Sequence, residues 1–365
     1  IRQYINETPV DNIYFLKDLI GIDNATFVRS KTLNKFKKYD FLNLFDRINA
    51  LRNILKWFRK VEPENIGNLD LNQFDVIHFH VSYHINNASK ILKKYKGKIV
   101  LTTHSPEPLS HEALASYPRI SLIKPILLRM LENAELRNWY KADFMMFPVE
   151  GAVEPYFVNS KMKYFLEHNK SKLKFCPTSI VQSRIERDKI WLCDLLSIPH
   201  DSIIISYVGR HNIVKGYDQL VELYKRIHKK YSNVYFVCAG NISEIDYPHD
   251  DNWIELGWID YGPKLIASSD LFVLSNKETY FDIITLEVLR AGTPILMSKT
   301  GGNKHFLTYK KEERQGILFY EYGDIDKEVE LVEVFINSDS LTIEKMRERN
   351  MELYNKYFTP KSYLE

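Results

Sequence analysis

A chain of 365 residues exceeds the size that one hydrophobic core comfortably serves, and 45% hydrophobic with 27% charged residues is a globular composition, which excludes a disordered or fibrous protein. With 50 basic against 47 acidic side chains, the net charge of +3 argues against a nucleic-acid-binding protein. Cys176, Cys193 and Cys238 are scattered without CxxC spacing, which argues against a disulfide framework or cysteine zinc site and points to a reducing cytoplasm.

Strand-like and helix-like segments alternate along the chain, the pattern that builds parallel sheets flanked by helices, so the class is α/β. In the first half, β-rich runs fall at Asn12–Lys17, Thr26–Ser30, Asp75–His80, Lys98–Thr103 and Phe144–Pro148. Helices are expected over Phe41–Val61 and over Pro125–Tyr140, the latter with proline in its first turn, where a missing N–H costs nothing. Ile180–Ser202 holds charges, a proline and no obvious strand, and the alternation then starts afresh. The resulting division is 1–190, 191–350 and a final segment 351–365 expected to pack back toward the N-terminal domain. The second half reads as strand Ile203–Val208, helix Tyr217–Lys230, strand Val234–Ala239, helix Gly262–Ser268, strand Leu271–Leu274, helix Ile283–Ala291 and strand Pro294–Met297. No run approaches the roughly 20 apolar residues that span a bilayer. The opening at Ile1 carries no secretory-signal pattern.

Chemistry concentrates in three loops, each following a strand of the second half. Gly209-Arg210-His211-Asn212-Ile213-Val214-Lys215-Gly216 joins glycines that admit a phosphate to backbone with a bidentate cation and a point charge, although an ordinary basic turn has the same residues. Ser275 to Glu287 carries Glu278 and Asp282 in a loop and Glu287 in the following helix, acceptors for sugar and ribose hydroxyls or merely complements to a helix dipole. Ser298-Lys299-Thr300-Gly301-Gly302-Asn303 places two of the 14 glycines side by side, which suits backbone N–H groups turned toward a ligand. Ligands of open parallel sheets bind at the carboxyl ends of strands, where all three loops lie.

The runs GRHNIVKG, ETYFDIITLEVLRAGTPIL and SKTGGNKHF resemble the donor domain of retaining GT-B glycosyltransferases, specifically glycosyltransferase family 4, strongly over about residues 200 to 310 and loosely in the first half. The resemblance implies GT-B architecture, two Rossmann-like domains facing across a cleft, with the nucleotide sugar on the C-terminal one. It implies that Arg210 and Lys215 bind the donor diphosphate beside Gly209 and that Glu287 binds the ribose. The family's first glutamate, which touches the donor sugar, falls on Thr279, with Glu278 one residue further out; Phe281 and Asp282 stand where the family has Phe-Gly. Tyr280, Ile283, Gly301, Gly302 and Asn303 complete the expected substrate-binding set. Either a one-residue slip bringing Glu278 to the sugar or a takeover by Asp282 would restore the missing contact.

In the first half, Thr102-Thr103-His104-Ser105-Pro106-Glu107 follows a strand, and the resemblance implies that His104, with Glu107 nearby, faces donor sugar and acceptor. His78, His80 and His84 lack an accompanying carboxylate or cysteine in ligand spacing, and Asp324-Ile325-Asp326 reads as a turn before a helix, so no metal site is expected. The basic amphipathic stretch Leu33–Lys60 suits either an anionic membrane surface or a helix packed on its own sheet. The expected function is metal-independent transfer of a hexosyl or N-acetylhexosaminyl group. The donor is a nucleotide sugar, UDP-linked ahead of GDP-linked, and the acceptor a glycan, a lipid-linked molecule or a protein. Bacterial cell-surface polysaccharide or glycoconjugate synthesis is the expected setting, in the cytoplasm or at the inner face of the membrane. A non-catalytic GT-B partner subunit, favoured by Thr279, and a nucleotide-sugar epimerase are the alternatives.

Overall fold

The computed structural model describes residues 13–14, 52, 54–62, 69–115, 123–181, 185–241 and 245–364. The strands expected at Asn12–Lys17 and Thr26–Ser30, the basic stretch Leu33–Lys60 and the helix Phe41–Val61 lie wholly or largely outside these residues. The described residues fall into two compact units, one within Ile1–Phe147 and Tyr156–Phe175, the other within Pro148–Pro155 and Cys176–Glu365.

The first unit holds a four-stranded parallel sheet in the order β1-β2-β3-β4, formed by Val76–Phe79, Lys98–Thr102, Phe144–Phe147 and Leu173–Phe175. Helix α1, Ser82–Asn87, follows β1; α2, Leu109–Ala115, and α3, Lys124–Lys141, join β2 to β3; α4, Ser160–His168, precedes β4. Pro125 sits in the first turn of α3, and Trp139 is fully buried between Tyr156 and Phe165.

In the second unit α5, Lys189–Leu196, precedes a six-stranded parallel sheet, and β5, Ile203–Val208, opens it. Then come α6, Tyr217–His228, β6, Val234–Ala239, β7, Trp253–Glu255, α7, Gly262–Ser268, β8, Leu271–Leu274, α8, Ile283–Ala291, β9, Ile295–Ser298, and β10, Ile317–Tyr320. Helices α9, Ile325–Ile336, α10, Ser340–Tyr357, and α11, Pro360–Leu364, close the chain. The strand order β10-β9-β8-β5-β6-β7 runs outward in both directions from the β5/β8 pair, the doubly wound arrangement whose order reverses there. Both sheet faces are covered, as a period of two requires when the strands are almost continuously apolar. Ile205, Phe236 and Cys238 pack toward α6 and α9, while Ile204, Val237 and Ala239 pack toward α5 and α7.

The helix α5 lies within Ile180–Ser202, in the segment Cys176–Glu365 of the second unit. Phe358, in the final segment, is buried against Phe281 and Phe306 of that unit. No described helix is long and apolar enough to cross a membrane.

A carboxyl group is buried in this core. Glu328 of α9 is wholly inaccessible and accepts hydrogen bonds from Ser275 Oγ at 2.6 Å and Gln219 Nε2 at 2.7 Å. Burial outweighs those two donors and pushes its carboxyl from 4.5 up to about 7. Between those pH values the folded state holds the extra proton, so stability falls as pH rises, by up to about 1.4 kcal/mol per pH unit, and levels off above 7. In Glu328→Gln this dependence is absent. Urea unfolding from pH 5 to 8 should show the variant gaining on the wild type up to about pH 7; parallel curves would mean that Glu328 is ionised in the fold.

Candidate active site

The loop after β5 and the loop after β8 meet where the strand order reverses, and the sequence makes that meeting possible by removing a side chain. Gly216 has φ +68, and a Cβ there would overlap the carbonyl of Ser275. Lys277 N and Glu278 N both donate to Val214 O, at 3.0 and 3.3 Å, tying the second loop to the first. The loop after β9 joins them. Gly302 N donates to Thr279 O at 3.1 Å, and Ser298 Oγ and Thr300 Oγ1 donate to Asn276 O at 2.6 and 3.0 Å. A Cβ on Gly301, φ +42, would overlap Thr279 O. Three segments widely separated in sequence thus form one backbone-to-backbone assembly at the carboxyl edge of the sheet.

Its side chains divide into those facing solvent and those held within. Arg210 is exposed and forms no ion pair among the described residues, while Tyr207 hydroxyl donates to the Arg210 carbonyl at 2.7 Å. Lys215 is largely covered and donates to both oxygens of Asp282, at 2.7 and 2.6 Å; Asn276 Nδ2 donates to the same carboxylate at 2.6 Å. Glu287, on α8, is partly buried, and that burial pushes its carboxyl up against the opposing pull of Arg290. Glu278 is exposed, whereas Thr279 is buried. Thr279 Oγ1 and Asn276 Oδ1 are buried without a hydrogen-bond partner in the protein, the condition of groups that await a ligand or water.

Other residues of the expected set have structural neighbours. Phe281 is buried, its ring 5.8 Å from Phe306 and 6.1 Å from His305. Asn303 Nδ2 holds the Ser298 carbonyl at 3.0 Å, closing its own turn. Tyr280 is partly buried, Ile283 is exposed at the start of α8, and Gly209 lies at the end of β5 with its N–H on Ala239 O at 2.9 Å. Asp324 caps α9 by accepting from Lys327 N, and Asp326 pairs with Arg226 on the surface.

In the first unit, His104 stands two residues past β2, exposed, with Nε2 at 2.7 Å from His80 Nδ1. His78 stacks on His80 at 4.4 Å and places Nε2 at 2.6 Å from Thr102 Oγ1. Although these rings are exposed at their edges, partial desolvation, reinforced by the neighbouring rings, lowers His78 to about 4 and lowers His80; partial desolvation alone lowers His104. The loop bearing His104 is fixed by Tyr156 hydroxyl on Ser105 O and by Ser105 Oγ on Glu112. Buried Glu135, which accepts from Leu109 N and Ser110 N, anchors the helix start beyond partly buried Glu107. The pairing of His80 with His104 is not evident from the sequence, although both stand at ends of strands that the parallel register makes neighbours. Among the described residues no cluster of three or more histidine, cysteine or acidic side chains is placed to hold a metal ion.

With this geometry in place, similarity to known proteins becomes informative. Solved structures share the architecture: HepE of Anabaena in complex with UDP-glucose superimposes with a TM-score of 0.58 at 14% identity, over 80% of this chain and 77% of that one. The fold is GT-B. Residues 195–352, which contain all three loops, match the family described as glycosyl transferases group 1. Over 278 residues, 73% of this chain and 71% of the relative, the sequence is 22% identical to an uncharacterized 41.2 kDa protein in the cps region of Klebsiella pneumoniae. It is 25% identical over 165 residues to the lipopolysaccharide core biosynthesis glycosyltransferase LpsE of Rhizobium meliloti, 43% of this chain and 46% of LpsE.

Because Gly216 has both a left-handed backbone and a carbonyl against its α-carbon, Gly216→Ala should cost about 2 kcal/mol or more. A lowered urea midpoint at unchanged m-value checks this, and a midpoint equal to wild type would show that the two loops part without cost.

Proposed function

We propose that the protein is a retaining glycosyltransferase that moves a sugar from a nucleotide-sugar donor to a glycan, lipid-linked or protein acceptor in cell-surface polysaccharide synthesis. The observation that carries this reading is the convergence of Arg210, Lys215, Glu287 and the N-terminus of α8 on the reversal point of a doubly wound sheet. Crevices of this kind take nucleotides, with phosphates against helix N-termini and glycine-lined backbone. HepE, which shares the fold, was solved with UDP-glucose, and this supports a UDP-linked donor ahead of a GDP-linked one.

Chemically, transfer requires stabilisation of a diphosphate leaving group and of an oxocarbenium-like sugar. Arg210 supplies a planar, permanently charged fork for phosphate oxygens, and Lys215 supplies a second charge. Glu287 accepts from ribose hydroxyls, its partial burial strengthening those bonds. Arg210 and Lys215 stabilise the leaving group without requiring a metal ion. His104, whose partial desolvation lowers its pKa, suits the transfer step rather than donor binding.

A second reading is favoured by one observation. Thr279 stands in place of the donor-sugar glutamate, which fits a GT-B subunit that binds nucleotide without transferring sugar.

Calorimetry and thermal shift with UDP, GDP, ADP and their sugars test the proposal, since a ligand that binds only the folded state raises its midpoint. One nucleotide sugar should bind selectively, and Arg210→Ala should weaken it at least tenfold at an unchanged unfolding midpoint. Absence of binding by every nucleotide would remove the donor-site assignment. For His104→Ala the expected result is unchanged nucleotide affinity with transfer slowed at least tenfold, and equal transfer rates would reduce His104 to a structural role. Selective donor binding without sugar transfer to any acceptor fraction would support the partner-subunit reading.

A further inference from the structure

We propose that Asp282 is a built-in anion that competes with the donor diphosphate for Lys215, so that diphosphate affinity is governed by exchange of one anion for another. The proposal rests on the assignment of Lys215 to the diphosphate under the proposed function. Its evidence is a carboxylate that has left its expected place. Asp188, Asp324 and Asp339 stand at the N-caps of α5, α9 and α10, and the side chain of each accepts a hydrogen bond from its own helix. Asp282 stands at the N-cap of α8 and makes no such bond, and the first turn of α8 carries no acidic residue.

The Asp282 carboxylate instead turns to the loop after β5. Both of its oxygens take the Lys215 ammonium, at 2.7 and 2.6 Å, and Asn276 Nδ2 fixes it from within its own loop at 2.6 Å. A cap of this type ordinarily stabilises a helix, so the alternative partner must be the stronger one, and a charge-assisted, partly desolvated pair is. The two side chains retain 19% and 17% of their accessibility, so solvent and small anions reach the pair.

An arriving diphosphate therefore meets a lysine whose charge is already matched, beside a carboxylate that repels it. To bind, it must draw the ammonium away from Asp282, which then keeps only Asn276 as a partner. Arg210, exposed and unpaired among the described residues, is the charge that remains available for first contact. The exchange favours ligands with concentrated negative charge. Removing the Asp282 charge should strengthen binding, whereas an Asp282 that served to aim Lys215 at phosphate would give the opposite result.

The test is calorimetric titration of UDP and of inorganic pyrophosphate into wild type, Asp282→Asn, Asp282→Gly, Lys215→Ala and the Lys215→Ala/Asp282→Asn double variant at pH 7.5. Unfolding midpoints are measured alongside, to confirm that each variant is folded. Asp282→Asn and Asp282→Gly are both expected to bind UDP and pyrophosphate at least tenfold more tightly than wild type. Lys215→Ala should bind at least tenfold more weakly, and Asp282→Asn should gain markedly less in that background because no ammonium is left to release. Unchanged or weaker binding in Asp282→Asn, while Lys215→Ala still loses affinity, overturns the competition and leaves the diphosphate assignment standing. An equal gain with and without Lys215 also overturns it, since Asp282 would then act only as a distant charge. Unchanged affinity in Lys215→Ala, or no binding by any variant, overturns both the competition and the assignment beneath it.

Discussion

At the carboxyl edge of the second sheet, backbone meets backbone with no room for a Cβ, and the rest of the site depends on that close approach. Gly216 lies against Ser275 O, and Gly301 lies against Thr279 O. Bringing peptide groups this near allows N–H and C=O pairs from different loops to satisfy one another, so the three loops behave as one surface rather than as separate connections. Side chains that would otherwise move independently, Lys215, Asp282 and Asn276 among them, are thereby held at hydrogen-bonding distance over sequence separations as large as 67 residues.

The fold was largely legible because the doubly covered strands of the second unit are continuous apolar runs bounded by glycine or polar turns. Ile203–Val208 and Leu271–Leu274 stand in the sequence as they stand in the sheet, and helices Gly262–Ser268 and Ile283–Ala291 follow them as expected. Strands β4, β7 and β10 have no counterpart among the expected elements; β4 and β7, at three residues each, are too short to display a period. The stretch that reads as a linker contains α5, whose apolar Trp191, Leu192, Leu195 and Leu196 lie among charges that obscure the pattern.

At the site itself, residue types were legible and pairings were not. Arg210, Lys215 and Glu287 stand at a sheet edge where a ligand is expected, yet nothing in the sequence says that Lys215 bonds Asp282 or that His80 bonds His104. Those contacts depend on strand order, and strand order is fixed by long-range packing rather than by local pattern. Phe281 shows the opposite limit. It lies inside the motif, but its ring serves the aromatic packing around Phe306 and Phe358.

The pairing of β5 with β8 has a kinetic meaning of its own. These strands are neighbours in the sheet, but α6, β6, β7 and α7 intervene between them in the chain, so their contact closes a long loop. Pairings between sequence-distant strands raise contact order, and here such a pairing is the one that creates the crevice. Without that junction the loops after β5 and β8 have no reason to meet, and Lys215 and Asp282 stand 67 residues apart in the chain. The crevice is thus a property of the completed sheet rather than of any single motif.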